Sequence, residues 1–316
     1  MKIIDYNETT KLLPMAECIA LMREAFVKLA EKTSVQYLRT YVRLPDGNIL
    51  GLMPGYYDGE YFGCKVITIF NSNIGTNFPS HQGSVLLYGS KYGEPLAMVD
   101  GDAITRIRTG AVSAVATDIL ARKDAKTAAF IGAGAQARSH LEAILCVRPL
   151  TSSAVYDLNA GSAAAFAEEM TAKHGIPVKS VASPAEAAKD ADIICTVSPS
   201  KTPVLYLKDV KPGVHINAVG ASIKTDREIG SDLAAAGRFF GDYLESVMAE
   251  AGDFLIPKGE GLFGDSHFLG ELGDLLTKPD LAGRKTSEDI TIFEALGLAV
   301  EDVAAAKYVY EKSLKR

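Results

Sequence analysis

The chain has 316 residues, a formal net charge of -6, and 47% hydrophobic against 23% charged residues. This length allows two domains with sizeable cores, and the composition is ordinary for a soluble globular protein. Because Lys and Arg are scattered rather than gathered in a basic stripe, nucleic acid is not expected as a partner. No apolar run approaches the roughly 20 residues of a membrane span, and the start MKIIDYNETT lacks a signal-peptide pattern. We therefore expect a cytoplasmic protein that does not associate with membranes.

Four cysteines, at positions 18, 64, 146 and 195, show no CxxC spacing, and the five histidines are scattered. This pattern predicts neither a disulfide framework nor a metal site. We expect reduced, mostly buried thiols.

The N-terminal third combines one helical pattern with several strand patterns. Between Leu13 and about Lys32, apolar residues recur every three or four positions, which predicts an amphipathic helix. Beyond it the period falls to two, in QYLRTYVRL, NILGLMPGYY, YFGCKVITIF and SVLLYGSKYGEPLAMVDG. These runs, separated by turn residues, predict a small sheet of hairpins. The Ala-rich stretch ITRIRTGAVSAVATDILA then predicts a helix, which we expect Thr105 to cap.

From Thr127 onward, strand patterns alternate with helical ones: the strands are TAAFIG, SAVYD, VKSVA, ADIICTVS, VHINAVG and RFFGDY. Such alternation is typical of a parallel sheet covered by helices on both faces. The predicted fold is therefore α/β, with a Rossmann-type doubly wound parallel sheet domain over residues 123–292. A short C-terminal strand and a long helix have no further βαβ unit to join. We assign residues 293–316, together with 1–122, to a discontinuous α+β domain for substrate binding and dimerisation.

A glycine-rich segment, AAFIGAGAQA, joins the first of these strands to a helix. Its G-x-G-x-x-A spacing allows a tight turn, close approach of a pyrophosphate to the backbone, and close packing of helix on strand. A glycine turn that binds nothing is the alternative, but the strand and helix context favours a dinucleotide. The predicted cofactor-binding residues here are Gly132, Gly134, Ala135, Gln136 and Ala137.

The next strand ends in Asp157. A carboxylate there can accept hydrogen bonds from both ribose hydroxyls and repels a 2′-phosphate, which favours NAD(H), with NADP(H) as the alternative. A plain turn residue is the other interpretation of Asp157. Two later strand ends should face the same crevice and receive the nicotinamide; they comprise Thr196, Val197 and Ser198, and Val219 and Gly220.

Three cations precede the Rossmann segment: Arg39, Lys65 and Arg108. Arg39 and Lys65 stand within strand-like apolar runs, where an unpaired charge is costly unless it meets a carboxylate. Each could bind the carboxylate of an amino or imino acid. Each could equally be a solvated residue that faces outward.

Six motifs occur in one order along the chain: K-x-x-T from Lys65, PSHQGSVLLY, DGDAITRIRTGAVSA, GAGAQA, HINAVGAS and TIFEALGLAVEDVAAAKYVY. This order resembles the ornithine cyclodeaminase and mu-crystallin family over essentially the whole chain. The resemblance implies a homodimer built through the discontinuous domain, and a substrate pocket between that domain and the Rossmann domain. It also implies that Arg39, Lys65 and Arg108 surround the substrate carboxylate and the reacting C–N bond, whereas Arg106 is a surface residue.

One position separates the reactions of this family. Cyclodeaminases carry an acidic residue two positions after the glycine that matches Gly220, and this chain has Ser222. A hydroxyl cannot hold an ammonium or act as a base by itself, whereas a carboxylate can do both. The stretch HINAVGAS and the PSHQ loop are most similar to mu-crystallin-like ketimine reductases. We therefore assign Ser222 a hydrogen bond to the substrate, with a simple strand-end residue as the alternative.

The resemblance thus implies an NAD(P)H-dependent reductase of imines or cyclic ketimine carboxylates, of the pyrroline- or piperideine-2-carboxylate type. Its small-molecule product would be an L-amino acid. In this mechanism Arg39 and Arg108 hold the carboxylate, and Lys65 assists protonation of the imine nitrogen. His81, in the PSHQ loop, would help enclose the ring, unless it is an ordinary loop histidine.

Three alternatives stay open. The first is an ornithine cyclodeaminase, with another acid such as Asp226 in place of the missing carboxylate. The second is a dehydrogenase of linear L-amino acids such as alanine. The third is a binding or structural protein, since mu-crystallin itself doubles as a lens protein and a hormone binder.

Overall fold

Two kinds of strand pattern produce two kinds of sheet. The computed structural model describes residues 1–73, 76–79, 81–278, 280–281 and 283–315, without the side chains of residues 71 and 81. The chain forms two compact units, Met1–Arg108 with Gly297–Arg316, and Thr109–Leu296. The first contains a mainly antiparallel sheet, and the second a parallel one.

In the first unit, the strands are β1 (Lys2–Ile4), β2 (Val35–Gln36), β3 (Thr40–Arg43), β4 (Ile49–Tyr57), β5 (Tyr61–Ile69), β6 (His81–Gly89) and β7 (Pro95–Asp100). They follow the order β1-β7-β6-β5-β4-β2, with β3 also paired to β4. All neighbours are antiparallel except β1 and β7. The structure therefore contains the hairpins that the alternating runs predict. The sequence analysis missed β1 and β2, which are too short to show a period.

The helices of this unit are α1 (Tyr6–Leu12), α2 (Met15–Ala30), the first turns of α3 (Gly101–Leu120), and α11 (Ala299–Leu314). Helix α11 packs across β4, β5, β6 and β7 and also contacts α2. The residues of the sheet that α11 covers are buried, among them Met53, Tyr57, Val85, Leu87 and Val99. On the opposite face the alternate residues are only half-buried although most are apolar.

The start of α3 corrects one prediction. The Asp100 carboxylate accepts a hydrogen bond from the backbone N–H of Ala103 at 2.8 Å. Because the helix already begins at Gly101, Thr105 lies inside it and does not cap it. Asp100 thus ends a strand and caps the next helix at once, a double role that the apolar pattern does not reveal.

In the second unit, the strands are β8 (Thr127–Ile131), β9 (Ser152–Tyr156), β10 (Val178–Ser180), β11 (Ile193–Thr196), β12 (His215–Ala218), β13 (Arg238–Gly241), β14 (Phe268–Glu271) and β15 (Thr291–Glu294). The sheet order is β10-β9-β8-β11-β12-β15-β13-β14. Every neighbouring pair is parallel. The strand order reverses between β8 and β11, as in a Rossmann fold. The predicted parallel, doubly wound sheet is confirmed.

The helices of this unit are the rest of α3, then α4 (Ala135–Leu145), α5 (Ala160–His174), α6 (Pro184–Ala188), α7 (Ser231–Ala236), α8 (Leu244–Glu250), α9 (Gly252–Gly259) and α10 (Leu272–Thr277). Two separate hydrophobic clusters lie on the two faces of the sheet. Neighbouring residues of β8 alternate between them, with Ala129 and Ile131 in one and Ala128 and Phe130 in the other. Because both faces of the sheet are buried in this way, every residue of a strand can be apolar, and the strands appear in the sequence as continuous apolar runs.

The last strand corrects the predicted organisation. Strand β15 pairs with β12 on one side and β13 on the other, and its four residues are all buried. It therefore belongs to the parallel sheet and not to the discontinuous domain that was predicted from residue 293. The compact units also divide within α3, at Arg108 and Thr109, rather than at residue 122. The sequence pattern fails here because the helix that follows this four-residue strand, α11, packs on the first sheet and not on the sheet that the strand joins.

Strand β12 buries two polar side chains. One ring nitrogen of His215 bonds with the Thr291 hydroxyl at 3.0 Å and the other with the Asn217 side-chain oxygen at 3.2 Å. The Asn217 amide donates in turn to the Thr117 hydroxyl at 3.0 Å. Burial lowers the pKa of His215 to about 3, so its ring is neutral and serves structure.

The Asp192 carboxylate bonds with several groups near the start of the parallel sheet. One carboxylate oxygen pairs with the Arg122 guanidinium at 2.7 Å and the Lys211 ammonium at 2.8 Å. The other accepts hydrogen bonds from the backbone N–H groups of Lys126 and Thr127 at 2.8 and 3.1 Å. Burial alone raises the pKa of Asp192, but these donors outweigh it and bring the pKa to about 2.

We predict that Asp192→Asn lowers the free energy of unfolding at neutral pH by about 2 kcal/mol, because a charged acceptor of several bonds is lost. The native pKa of about 2 lies below the ordinary value of 3.8, so the ionised carboxylate stabilises the fold above that value. The stability difference should therefore shrink as pH falls from 3.8 toward 2. Urea unfolding of both proteins at several pH values measures this, with the exposed Asp124→Asn as a control that changes little. Equal stability of wild type and Asp192→Asn at neutral pH would contradict the assignment.

Candidate active site

The glycine-rich turn follows β8 in the second unit. Gly132 has φ +108°, and a Cβ there would lie 2.7 Å from the Val197 carbonyl oxygen, so only glycine fits. Gly134 precedes α4, and a Cβ on it would meet no described atom within 4 Å. No side chain caps the start of this helix. Ala137 is fully buried. The three small residues therefore occupy the three positions that a dinucleotide-binding turn requires.

Asp157 follows β9 and contacts this turn. Its carboxylate accepts hydrogen bonds from the backbone N–H of Ala133 and of Asn159, both at 2.8 Å. A carboxylate has about four lone-pair sites, so two remain for other donors such as ribose hydroxyls. A cleft of about 600 Å³ adjoins it, lined among others by Gly132, Asp157, Leu158, Ser198, Pro199 and Val204. The open helix start, the glycine turn and this cleft together fit a bound dinucleotide.

The ends of β11 and β12 lie at the same edge of the sheet. The backbone N–H of Val197 donates to the Ile131 carbonyl at 2.9 Å, and that of Val219 donates to the Thr196 carbonyl at 3.0 Å. The structure thus continues the parallel pairing past the strands and places these predicted cofactor residues beside the glycine turn. Ser198 and Gly220 extend this edge by one residue each.

Glu228 is a residue of this edge that sequence reasoning missed. Its carboxylate accepts hydrogen bonds from the backbone N–H groups of Ser198 and Gly220, both at 2.8 Å, and from the Ser198 hydroxyl at 2.5 Å. Burial raises the pKa of Glu228 to about 7, although the bonds from Ser198 oppose the shift. Its signal in the sequence was weak, because it is one of two acids in the polar stretch KTDREIG. The acid that was considered there, Asp226, accepts a bond from the Thr225 hydroxyl at 2.9 Å.

A buried cluster of charges lies in the first unit. The Lys65 ammonium, on β5, contacts the Asp302 carboxylate at 2.8 Å. The Arg108 guanidinium, on α3, bonds with Asp302 at 3.0 Å and with Glu301 at 2.8 Å. Lys65 and Arg108 are 3% and 4% exposed, and both carboxylates are fully buried. Arg39, between β2 and β3, donates to the carbonyl oxygen of Gly297 at 2.9 Å.

The positive groups of this cluster influence one another. Lys65 and Arg108 pair with Glu301 and Asp302, and Arg39 lies near enough to act on Lys65. Burial lowers the pKa of Lys65 to about 8, and the positive charges of Arg108 and Arg39 act in the same direction while Asp302 opposes them. The cluster therefore offers guanidinium groups that suit an anionic group, and an ammonium whose proton is unusually easy to give up.

The two acids of this cluster lie within a motif that the sequence analysis quoted, TIFEALGLAVEDVAAAKYVY, but were not assigned there. Their signal was an adjacent Glu-Asp pair in the first turn of an otherwise apolar helix. Such a pair is ordinary at a helix start, where acids also favour the helix dipole. The sequence does not separate ordinary helix-start acids from partners of buried cations. The contacts of Asp302 with Lys65 on β5, and of both acids with Arg108 on α3, identify them as partners of buried cations.

The other predicted residues have simpler surroundings. Ser222 is half-buried in the segment after β12. His81 begins β6, and its side chain lies outside the described part of the structure. Arg106 is half-buried rather than on the open surface, and its guanidinium donates to the Tyr6 hydroxyl at 2.6 Å.

Among the described residues, no group of three or more His, Cys, Asp or Glu side chains is arranged to hold a metal ion. All four cysteines are free; Cys18 and Cys195 are buried, Cys64 is half-buried and Cys146 is exposed. The expectation of mostly buried thiols is thus met by two of them. No helix in the described ranges has the length and apolar character to cross a membrane.

The fold and these sites define a two-unit α/β protein with a Rossmann sheet and a separate buried cationic cluster. The sequence profile of the ornithine cyclodeaminase/mu-crystallin family matches residues 2–316. The chain belongs to this family.

Known relatives match over nearly their whole lengths. A Delta(1)-pyrroline-2-carboxylate reductase from Bacillus cereus is 38% identical over 319 aligned residues, covering 100% of this chain and 98% of the relative. The solved structure of the Thermococcus litoralis Delta(1)-pyrroline-2-carboxylate reductase, in complex with NADH and L-proline, has a TM-score of 0.96 and 37% identity, with 100% and 98% coverage. An archaeal alanine dehydrogenase dimer with bound NAD has a TM-score of 0.94 and 30% identity, with 100% and 96% coverage.

Proposed function

We propose that this protein is an NADH-dependent reductase that converts Delta(1)-pyrroline-2-carboxylate, or a closely similar cyclic ketimine carboxylate, into the corresponding L-amino acid. The observation that carries the proposal is the buried cluster in which Lys65, whose pKa is lowered, and Arg108 lie against the same carboxylate, that of Asp302. A cyclic imino acid offers the matching groups, one carboxylate and one basic C=N nitrogen. Two of the relatives named above are Delta(1)-pyrroline-2-carboxylate reductases, which supports the same chemistry here.

The substrate carboxylate binds to Arg39 and Arg108 in this proposal. Arginine forms two parallel hydrogen bonds with a carboxylate, and both bonds are strong where water is excluded. Glu301 and Asp302 already hold the Arg108 side chain in place at 2.8 and 3.0 Å. The arginine therefore loses little conformational freedom when the substrate arrives.

Lys65 then supplies the proton. An imine carbon becomes a much better hydride acceptor once its nitrogen is protonated, and a donor works best with a pKa near the working pH. The Lys65 pKa of about 8 meets that condition, and Asp302 at 2.8 Å stabilises the ammonium before transfer. When bound, NADH supplies the hydride that the imine carbon accepts.

The cofactor half of the proposal depends on the second unit. Gly132, Gly134 and the start of α4 would hold the pyrophosphate, and Asp157 would accept bonds from the adenosine ribose. A carboxylate at this place disfavours a 2′-phosphate, so we infer a preference for NADH over NADPH.

Ser222 argues against the cyclodeaminase alternative. Ring closure of ornithine requires a group that binds the distal ammonium and takes its proton, and a serine hydroxyl does neither alone. We propose that Ser222 makes a neutral hydrogen bond to the substrate instead.

We also infer a homodimer. On the face of the first sheet opposite α11, half-buried apolar residues form a continuous patch, and Phe62 and Tyr88 stack within it with ring centroids 5.1 Å apart. A patch of this kind on a sheet face usually packs against another subunit. The dimeric alanine dehydrogenase supports this assembly.

Four free cysteines fit a reducing compartment, and we propose the cytoplasm.

The direct test of the function is NADH consumption, followed by absorbance, with pyrroline-2-carboxylate and piperideine-2-carboxylate as substrates. We expect turnover of at least one of them and stoichiometric formation of the cyclic amino acid. Parallel incubations contain ornithine with catalytic NAD, and alanine with excess NAD. Proline and ammonia from ornithine, or NADH from alanine, without any imine reduction, would replace the proposal by the corresponding alternative.

The pH profile tests Lys65. Because its ammonium is protonated below about pH 8, kcat/KM should fall as pH rises through that value. In Lys65→Arg the guanidinium stays charged throughout, so the variant should be slower but should lose this alkaline fall. Lys11→Arg, at an exposed residue of the same unit, should keep the wild-type profile. An unchanged alkaline fall in Lys65→Arg would remove Lys65 from the proton transfer.

The cofactor preference tests Asp157. Asp157→Ser removes the negative charge that opposes a 2′-phosphate, so the ratio of kcat/KM with NADPH to that with NADH should rise about tenfold or more. Loss of the bond to Ala133 should also weaken NADH binding. The control is Asp190→Ser, an exposed acid elsewhere in the same unit. An unchanged ratio of the two kcat/KM values would show that a residue other than Asp157 determines the preference at the ribose.

The assembly is tested by light scattering of the eluted protein. Wild type should have twice the mass of the chain, and Leu86→Asp should shift the equilibrium toward monomer, because a buried charge at the sheet face opposes packing. Leu262→Asp, at a residue 52% exposed in the other unit, should leave the dimer intact. A monomeric wild type, or a dimer that Leu86→Asp does not weaken, would contradict the interface.

A further inference from the structure

A single side chain joins the ends of two strands at the predicted nicotinamide edge. Glu228 accepts the backbone N–H of Ser198, after β11, and the backbone N–H of Gly220, after β12, both at 2.8 Å. It also accepts the Ser198 hydroxyl at 2.5 Å. The carboxylate is fully buried, so these bonds form without competition from water.

The bond to Gly220 also closes a loop. Residues 220–228 follow β12, and the Glu228 carboxylate reaches back to the amide at the start of this segment. Ser222 lies within the loop, two residues after the point of closure. The position of Ser222 therefore depends on the bond between Gly220 and Glu228.

The two strand ends are packed so closely that a side chain cannot be added. A Cβ at Gly220 would lie 2.1 Å from the Ser198 carbonyl oxygen and 2.5 Å from a Glu228 carboxylate oxygen. Because Glu228 occupies both N–H groups, the edge offers a ligand its carbonyl oxygens as acceptors. A nicotinamide carboxamide has an NH₂ group that such acceptors can bind.

A second acid holds Glu228 in place. The Asp253 carboxylate, at the start of α9, accepts the backbone N–H groups of Glu228 and Ile229 at 2.9 and 2.8 Å. Asp253 is fully buried. The backbone of Glu228 is thus fixed from one side, while its side chain fixes Ser198 and Gly220 on the other.

We infer that Glu228 is a positioning residue: it sets the strand ends that receive the nicotinamide half of the cofactor and closes the loop that carries Ser222. This inference rests on the proposed function. Glu228 touches neither reacting atom and acts through the backbone it orders. Its removal should therefore affect the nicotinamide half of the cofactor and the substrate, but not the adenosine half, which the β8 and β9 ends hold.

The test compares Glu228→Gln with wild type in calorimetric binding of NADH and of ADP-ribose, which lacks the nicotinamide. A glutamine of the same size places an N–H donor group against a backbone N–H donor, so one of the bonds is lost. We expect NADH binding to weaken about tenfold or more, as for loss of bonds to a charged group, while ADP-ribose binding changes less than about twofold. The KM for the imine should rise as well. Glu271→Gln, a carboxylate that accepts the Leu244 N–H at 2.7 Å after β14, is the matched control and should bind both ligands normally.

A second variant keeps the test valid if Glu228→Gln does not fold. Ser198→Ala removes one bond to Glu228 and keeps both backbone amides. It should therefore weaken NADH binding, by a smaller factor than Glu228→Gln does. Equal weakening of NADH and ADP-ribose would indicate a merely structural role, and unchanged NADH binding in both variants would refute the inference. If wild type binds neither ligand, the proposed function itself fails, whatever the variants do.

Discussion

The structure depends on one costly interaction, the burial of Lys65 and Arg108 against Glu301 and Asp302. Removing an ion from water costs several kcal/mol, and a buried pair rarely stabilises a protein more than apolar residues of the same size would. Arg39 adds a third positive charge close to this pair, and that charge lowers the pKa of Lys65 further. We propose that such a cluster binds an anionic substrate. The same burial gives Lys65 a pKa of about 8 and so makes it an acid suited to the reaction.

Much of this arrangement could be predicted from the sequence, and the failures have physical causes. Periodicity located β4 to β7 and β8 to β13, because their alternating or continuous apolar residues reflect which faces are buried. It misplaced β15, since the helix that follows this strand, α11, packs on the other sheet. Motif spacing located the glycine turn, and the family resemblance singled out Lys65. Neither singled out Asp302 or Glu228, because acids in ordinary positions gain their meaning only from the distant groups they meet in the fold.

Within the family, closely similar folds carry different reactions on C–N bonds, and the structure suggests how this chain is specialised. Its Rossmann sheet and cationic cluster serve any reaction that moves hydride to or from the carbon next to a carboxylate. We propose that the distinction lies in the loop after β12, where a serine would provide a neutral partner and a carboxylate a base. Glu228 anchors that loop to the end of β11, so the part of the protein that selects the substrate is joined to the part proposed to receive the nicotinamide. Substrate choice and cofactor placement can therefore change together through few substitutions.

The central claim is that the cluster of Arg39, Lys65 and Arg108 recognises one carboxylate. It is tested most directly by calorimetric titration of the NADH-loaded protein with L-proline and with L-prolinamide, which differ only in that group and cannot react with the reduced cofactor. The account predicts that proline binds and that the amide binds at least about tenfold more weakly, because a charged partner of the arginines is lost. Equal affinity for the two compounds would contradict it.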